Sequence, residues 1–232
     1  MKYTFQYSLE IDFQSHALQL LPEAAGMDFT YLDQLLDSLS ELISNTTWPR
    51  SLQGEFLNYV TLDVYEFGYA IRTEAAAGRW TVAVSLMRPL QERSEYALAA
   101  AIDPSFSEDY LTRLNTLTEE KFSRQHRGMV EGARGKIDQW VKKSHGIDGH
   151  FEASRTLNKV GSEMLHHAIG LSREHEEIAK ARPELLKMAT GRVLAAVAIV
   201  LLAIKVIGEA DTSAWRKTSG IVNLLQANGN CN

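Results

Sequence analysis

Apolar and polar residues alternate at the start of the chain, and the period then changes for the rest of it. Tyr3, Phe5, Tyr7, Leu9, Ile11 and Phe13 alternate with Thr4, Gln6, Ser8, Glu10 and Asp12, the period of two that buries one face of a strand. A lone strand needs a partner, so this segment either packs on its own domain or pairs with the same strand of a second copy. From Met27 onward the period is helical. Leu32, Leu35, Leu36, Leu39, Leu42 and Ile43 recur at spacings of three and four behind Asp28 or Thr30 as a cap. Further helices are predicted over 51–77, 79–102, 107–118, 129–143 and 151–169, from Pro183 to about Glu209, and over 213–225. Long helices joined by short connections predict an all-α fold, an antiparallel helical bundle. Residues 1–26 form a strand-like N-terminal arm in this reading, and 27–232 a single bundle domain.

Inside the 79–102 helix, the segment RPLQE interrupts an apolar pattern with charge. Leu86, Met87 and Leu90 precede it or lie within it, and Ala97, Leu98 and Ala100 follow. A charge in such surroundings is costly unless it is paired. Arg88 and Glu92 lie one turn apart, so they share a face, and the guanidinium can bond the carboxylate or an anionic ligand. Pro89 between them has no amide hydrogen to give to the carbonyl of Ser85. The pair reads as a structural ion pair or as one wall of a polar site. Arg93 and Glu95 are expected to point away from it, toward solvent.

Two other segments carry candidate chemistry. SEMLHHAIGLSREHEE, residues 162–177, sets Glu163 and His166 at an ExxH spacing beside His167, Arg173, His175 and Glu176. Histidines titrate near neutral pH and serve as acid, base or ligand. A di-iron site would need a second ExxH, and the chain has one. HGIDGH, residues 145–150, offers His145, Asp148 and His150 to a divalent metal or forms a plain glycine turn. No phosphate-cradling glycine loop, GxSxG elbow, HExxH or CxxC occurs. No cofactor or metal is therefore expected.

Composition narrows the class of partner. The net charge of −5 over 232 residues argues against a broadly basic nucleic-acid surface. One basic stretch stands out, Lys121, Arg124, Arg127, Arg134, Lys136, Lys142 and Lys143, interleaved with Phe122, His126 and Trp140. It reads as a solvated helix face or as a local patch for RNA. The single cysteine, Cys231, fits a reducing cytoplasm, and the N-terminal alternation lacks the apolar block of a secretory signal. VLAAVAIVLLAI, from Val193 to Ile204, is shorter than the ~20 residues a bilayer requires, so it reads as a core helix and no membrane partner is expected.

The order of these features resembles a known group. A helix with RPLQE, then a helix with SEMLHH, then a long apolar helix is similar to bacterial helical proteins of the HEPN superfamily and its abortive-infection relatives. R-x-L-x-E-like and S-x-x-x-H-like helices are landmarks there. The resemblance covers roughly Gly78 to Gly208. It implies that Arg88, Glu92 and His166 or His167 line one internal cleft as the catalytic or binding residues. It also implies an all-α bundle, homodimerisation, and RNA or protein as partner. Ribonuclease members carry an arginine followed after four to six residues by a histidine, and this chain has no such spacing. The resemblance thus implies a binding or regulatory role in defence or stress response, with a metal-independent ribonuclease toxin as the alternative.

Overall fold

The computed structural model describes residues 28–145, 175–210 and 212–227. Every regular element among them is an α-helix: α1 (Thr30–Asn45), α2 (Leu52–Ala76), α3 (Trp80–Ile102), α4 (Ser105–Thr116), α5 (Glu119–His145), α6 (His175–Val206) and α7 (Ser213–Ala227). The fold is all-α. The alternating N-terminal segment, the 151–169 helix, the ExxH and His166 and His167 lie outside the described residues, as do Asp148 and His150 of HGIDGH.

The local chemistry of each boundary accounts for its place. Ser51 caps α2, its Oγ accepting the amide of Gly54 at 3.2 Å, which satisfies one of the orphan donors of a helix start. Gly78 takes a positive φ of 73°, a conformation that costs glycine little, and so turns α2 into α3. Asp103 ends α3. Its Oδ1 accepts the amide and hydroxyl of Ser105 at 3.0 and 2.7 Å, and Lys136 of α5 pairs with Oδ2.

Helix α3 lies at the centre, packed against α2, α5 and α6. Gln53 donates to the carbonyl of Ala100 at 2.7 Å and Arg93 meets Asp63 at 3.1 Å, so α2 and α3 run antiparallel. Two apolar clusters form around this helix. The first joins Leu32–Ile43 of α1 to Val64 and Ile71 of α2, to Trp80, Val84, Met87 and Leu90 of α3, and to Val193, Val197 and Ile204 of α6. The second joins Phe56, Leu57 and Val60 of α2 to Tyr96–Ala101 of α3, to Phe106 and Tyr110 of α4, and to Met129, Ala133 and Ile137 of α5. Between them α3 carries Gln91, Glu92, Arg93, Ser94 and Glu95, and α2 carries Thr61 and Asp63. The antiparallel pairing brings these two polar stretches to the same level, as a polar layer between two apolar ones.

Three boundaries depart from the sequence reading. Helix α5 starts at Glu119, ten residues before the expected Met129, because Gly128 is accommodated in mid-helix and the apolar stripe begins at Phe122 and His126. Helix α6 starts at His175 and runs through Pro183 instead of starting there. The strong helix formers Glu176, Glu177, Ala179, Lys180 and Ala181 extend it upstream. Helix α4 spans Ser105–Thr116, two residues earlier than 107–118. The stretch Pro183–Val206 is, by length and composition, apolar enough to cross a bilayer; its Ala189, Val193, Val197, Val200 and Ile204 are buried in the first cluster.

Candidate functional site

The site is built on the third and fourth turns of α3. Arg88 and Glu92 form the expected pair, with Nε 2.8 Å from Oε1. The two partners differ in setting, since the Arg88 side chain is 62% exposed and that of Glu92 9%. Arg88 therefore stands at the rim and Glu92 inside it. The other oxygen of Glu92 lies 3.9 Å from Nε2 of His126 on α5, and that nitrogen is 3.1 Å from the hydroxyl of Tyr96. Burial, reinforced by Glu92, pushes the Tyr96 phenol well above its usual range, so it keeps its proton. With Nδ1 protonated, His126 accepts that proton in a hydrogen bond; with Nε2 protonated, it donates to the Tyr96 oxygen, and Glu92 at 3.9 Å acts on the ring only through its charge.

Deeper in the layer the expectation for Glu95 fails. Its side chain has no exposure, and it meets Arg134 of α5, 8% exposed, at 2.9 Å. Glu95 follows Glu92 by three residues and Arg88 by seven, so it lies on the same face of α3, one turn further along. Here α5 and α6 lie where solvent was expected. The Nε2 of Gln91 donates to Glu95 at 2.9 Å, and its Oε1 accepts from Nη1 of Arg192 on α6 at 2.6 Å. The polarity of its neighbours dictates this amide orientation, since a carboxylate only accepts and a guanidinium only donates. Arg93 is likewise drawn inward: it bonds the hydroxyl of Tyr110 at 2.9 Å, pairs with Asp63 and lies 5.7 Å from the centre of the Tyr96 ring. Burial raises the Asp63 carboxyl against the opposing pull of Arg93.

The structure thus brings Arg88 and Glu92 together and adds His126, Tyr96, Glu95, Arg134, Gln91 and Arg192. His166 and His167, expected opposite them, lie outside the described residues. The signal for the added α5 residues was present in the stripe Phe122, His126, Met129, Val130, Ala133, Arg134, Ile137 and Val141, which keeps spacings of three and four on one face. Most of the remaining basic stretch, Lys121, Arg124, Arg127, Lys142 and Lys143, is exposed, as a solvated face would be. Among the described residues no group of three or more His, Cys, Asp and Glu side chains is arranged to hold a metal ion. Comparison with protein-family models, curated proteins and solved structures found no match.

Proposed function

We propose that the chain is a cytoplasmic bacterial protein of defence or stress response, related to the HEPN superfamily. In this reading it works as a homodimer of antiparallel bundles and binds a ligand, RNA or protein partner through the polar layer between its helices. The observation that carries the reading is the concentration of buried charge on the central helix, at the same segment RPLQE that carries the resemblance. Glu92, Glu95, Arg134 and the half-buried Arg93 and Arg192 meet where two apolar cores could have joined. Buried ions are a poor way to gain stability, which favours a role beyond folding. The test is phage challenge of bacteria expressing the full chain. The wild type should lower plating efficiency for at least one phage in a panel, and Arg88→Ala and Glu92→Gln should abolish that protection while accumulating as folded protein. Protection left intact in both variants, or no protection by the wild type, would sink the reading.

A second reading, a metal-independent ribonuclease, is favoured by one contact. His126 lies beside a buried carboxylate and a phenol, with Arg88 at the rim. In that role His126 takes the proton of a ribose 2′-hydroxyl, whose oxygen bonds to phosphorus. The bond to the 5′ oxygen breaks, and the same proton is returned to that oxygen. Glu92 stabilises the imidazolium formed between the two events. Transfer RNA and total RNA incubated with wild type, with His126→Ala and with the double variant His166→Ala His167→Ala decide it. Cleavage lost in His126→Ala supports the enzyme; RNA equally intact in all samples excludes it.

A further inference from the structure

We propose that Arg192 holds a small oxyanion, the carboxylate or phosphate group of a ligand that enters the polar layer beside Gln91. The proposal rests on the reading of that layer as a binding site, and it names the chemistry bound there.

The argument is a balance of charge and of hydrogen-bond donors. Among the described residues, the other buried or half-buried arginines each face a carboxylate. Arg72 has Asp33 at 2.7 Å, Arg79 has Glu74, Arg93 has Asp63 at 3.1 Å, Arg113 has Asp109 at 2.9 Å, and Arg134 has Glu95 at 2.9 Å. Arg192 has a neutral partner instead, the carbonyl oxygen of Gln91 at 2.6 Å. A guanidinium carries five N–H donors in a planar fork matched to two oxygens of a carboxylate or phosphate. That one bond leaves most of the fork open. Glu95 reaches Arg192 through the field and not through contact, and Arg134 is bonded to that same carboxylate. Burial accordingly pulls the Arg192 guanidinium below its ordinary value, with Glu95 opposing. It nevertheless remains charged at neutral pH.

An uncompensated cation on the most apolar of the described helices makes the empty fold less stable, and a bound anion would offset that cost. Gln91 couples the fork to Glu95 and Arg134, so the ligand would meet a guanidinium already oriented from behind. The same geometry separates binding from folding. A merely structural arginine destabilises the fold when it is removed, whereas an unpaired one should not.

The experiment uses the purified full chain at fixed ionic strength, with thermal unfolding followed against inorganic phosphate, acetate or chloride. The expected result is saturable stabilisation by phosphate, acetate or both, beyond that produced by chloride. Arg192→Met should weaken the apparent affinity at least about tenfold, with a midpoint in chloride equal to or above that of the wild type. Phosphate acting alone assigns a phosphoryl ligand, and acetate acting alone a carboxylate. Arg192→Gln, which keeps a donor for the Gln91 oxygen, serves if the Met variant does not fold. Oxyanions no better than chloride, or stabilisation unchanged in the variant, would overturn the proposal. A wild type that protects cells from phage yet ignores both anions would overturn the oxyanion site while leaving the role of the layer standing.

Discussion

Replacing Arg134 by Met is expected to lower the free energy of unfolding by about 3–5 kcal/mol, among the largest effects of any single change in this chain. The reason is asymmetric. The pair itself contributes little net stability, because two ions were taken out of water to form it. Removing one partner leaves the other buried without its counter-charge. Glu95 has no solvent exposure and would keep the Gln91 amide but lose its guanidinium at 2.9 Å. Glu95→Leu strands Arg134 in the same way, although Glu131 at 3.9 Å gives it a weaker second partner, so the loss should be the smaller of the two. The double variant Glu95→Leu Arg134→Met removes both charges and should recover most of the stability, which urea denaturation of the four proteins would report as a coupling energy. A loss below ~1 kcal/mol in Arg134→Met, the range of an exposed ion pair, would show that the layer is wet and that the pair is not a buried one.

The same double variant addresses what the layer is for. Buried polar groups sometimes do no more than specify how helices register. If Glu95 and Arg134 serve only that end, the apolar replacement folds and protects cells as the wild type does. If they support a ligand site through Gln91, it folds and fails to protect.

The apolar periods were sufficient to place α1, α2, α3 and α7 to within a few residues, because breaks at Asn45–Pro49, Gly78 and Asp103–Pro104 bound the first three and Ser213 opens the last. The Leu32–Ile43 stripe of α1 is buried throughout. The reading failed where more than one neighbour mattered. The helical spacing sets Glu95 on the same face as Arg88 and Glu92, seven and three residues on, and there it meets Arg134 of α5 instead of solvent. The run Ala97–Ala101 held the missing signal, since five consecutive buried residues leave no solvent face on that part of α3. A charge one turn earlier was therefore destined for the interior. Arg134 was legible on the same terms, lying four residues after Val130 and three before Ile137 on one buried stripe. Arg192 directly precedes the apolar run Val193–Ile204, where a single turn of α6 separates a boundary charge from a buried one.

Gly54→Ala should cost about 3 kcal/mol, through steric conflict and not through charge. A Cβ at this position would lie 1.8 Å from the carbonyl oxygen of Pro49 and 2.7 Å from its carbonyl carbon. Both are backbone atoms, so no rotamer change can make room. The turn Trp48–Ser51 would have to move, or the start of α2 would have to withdraw from it. Either motion disturbs the Ser51 cap and the bond from Gln53 to Ala100, which hold the N-terminal end of α2 against α3. That end carries Phe56, Leu57 and Val60 into the second core. Gly68→Ala meets a softer obstacle, the Leu36 methyl at 2.7 Å, a side-chain atom that can turn aside. Its loss should be well below that of Gly54→Ala, offset by the ~1 kcal/mol by which alanine exceeds glycine in a helix interior. Gly132→Ala, at an exposed position of α5 where a Cβ meets nothing within 4 Å, should gain up to about that amount. Midpoints from urea unfolding should therefore rank Gly132→Ala above wild type and Gly54→Ala far below Gly68→Ala. A Gly54→Ala variant as stable as Gly132→Ala would mean that α2 does not start against Pro49, and with that register lost, Asp63 would no longer be held opposite Arg93.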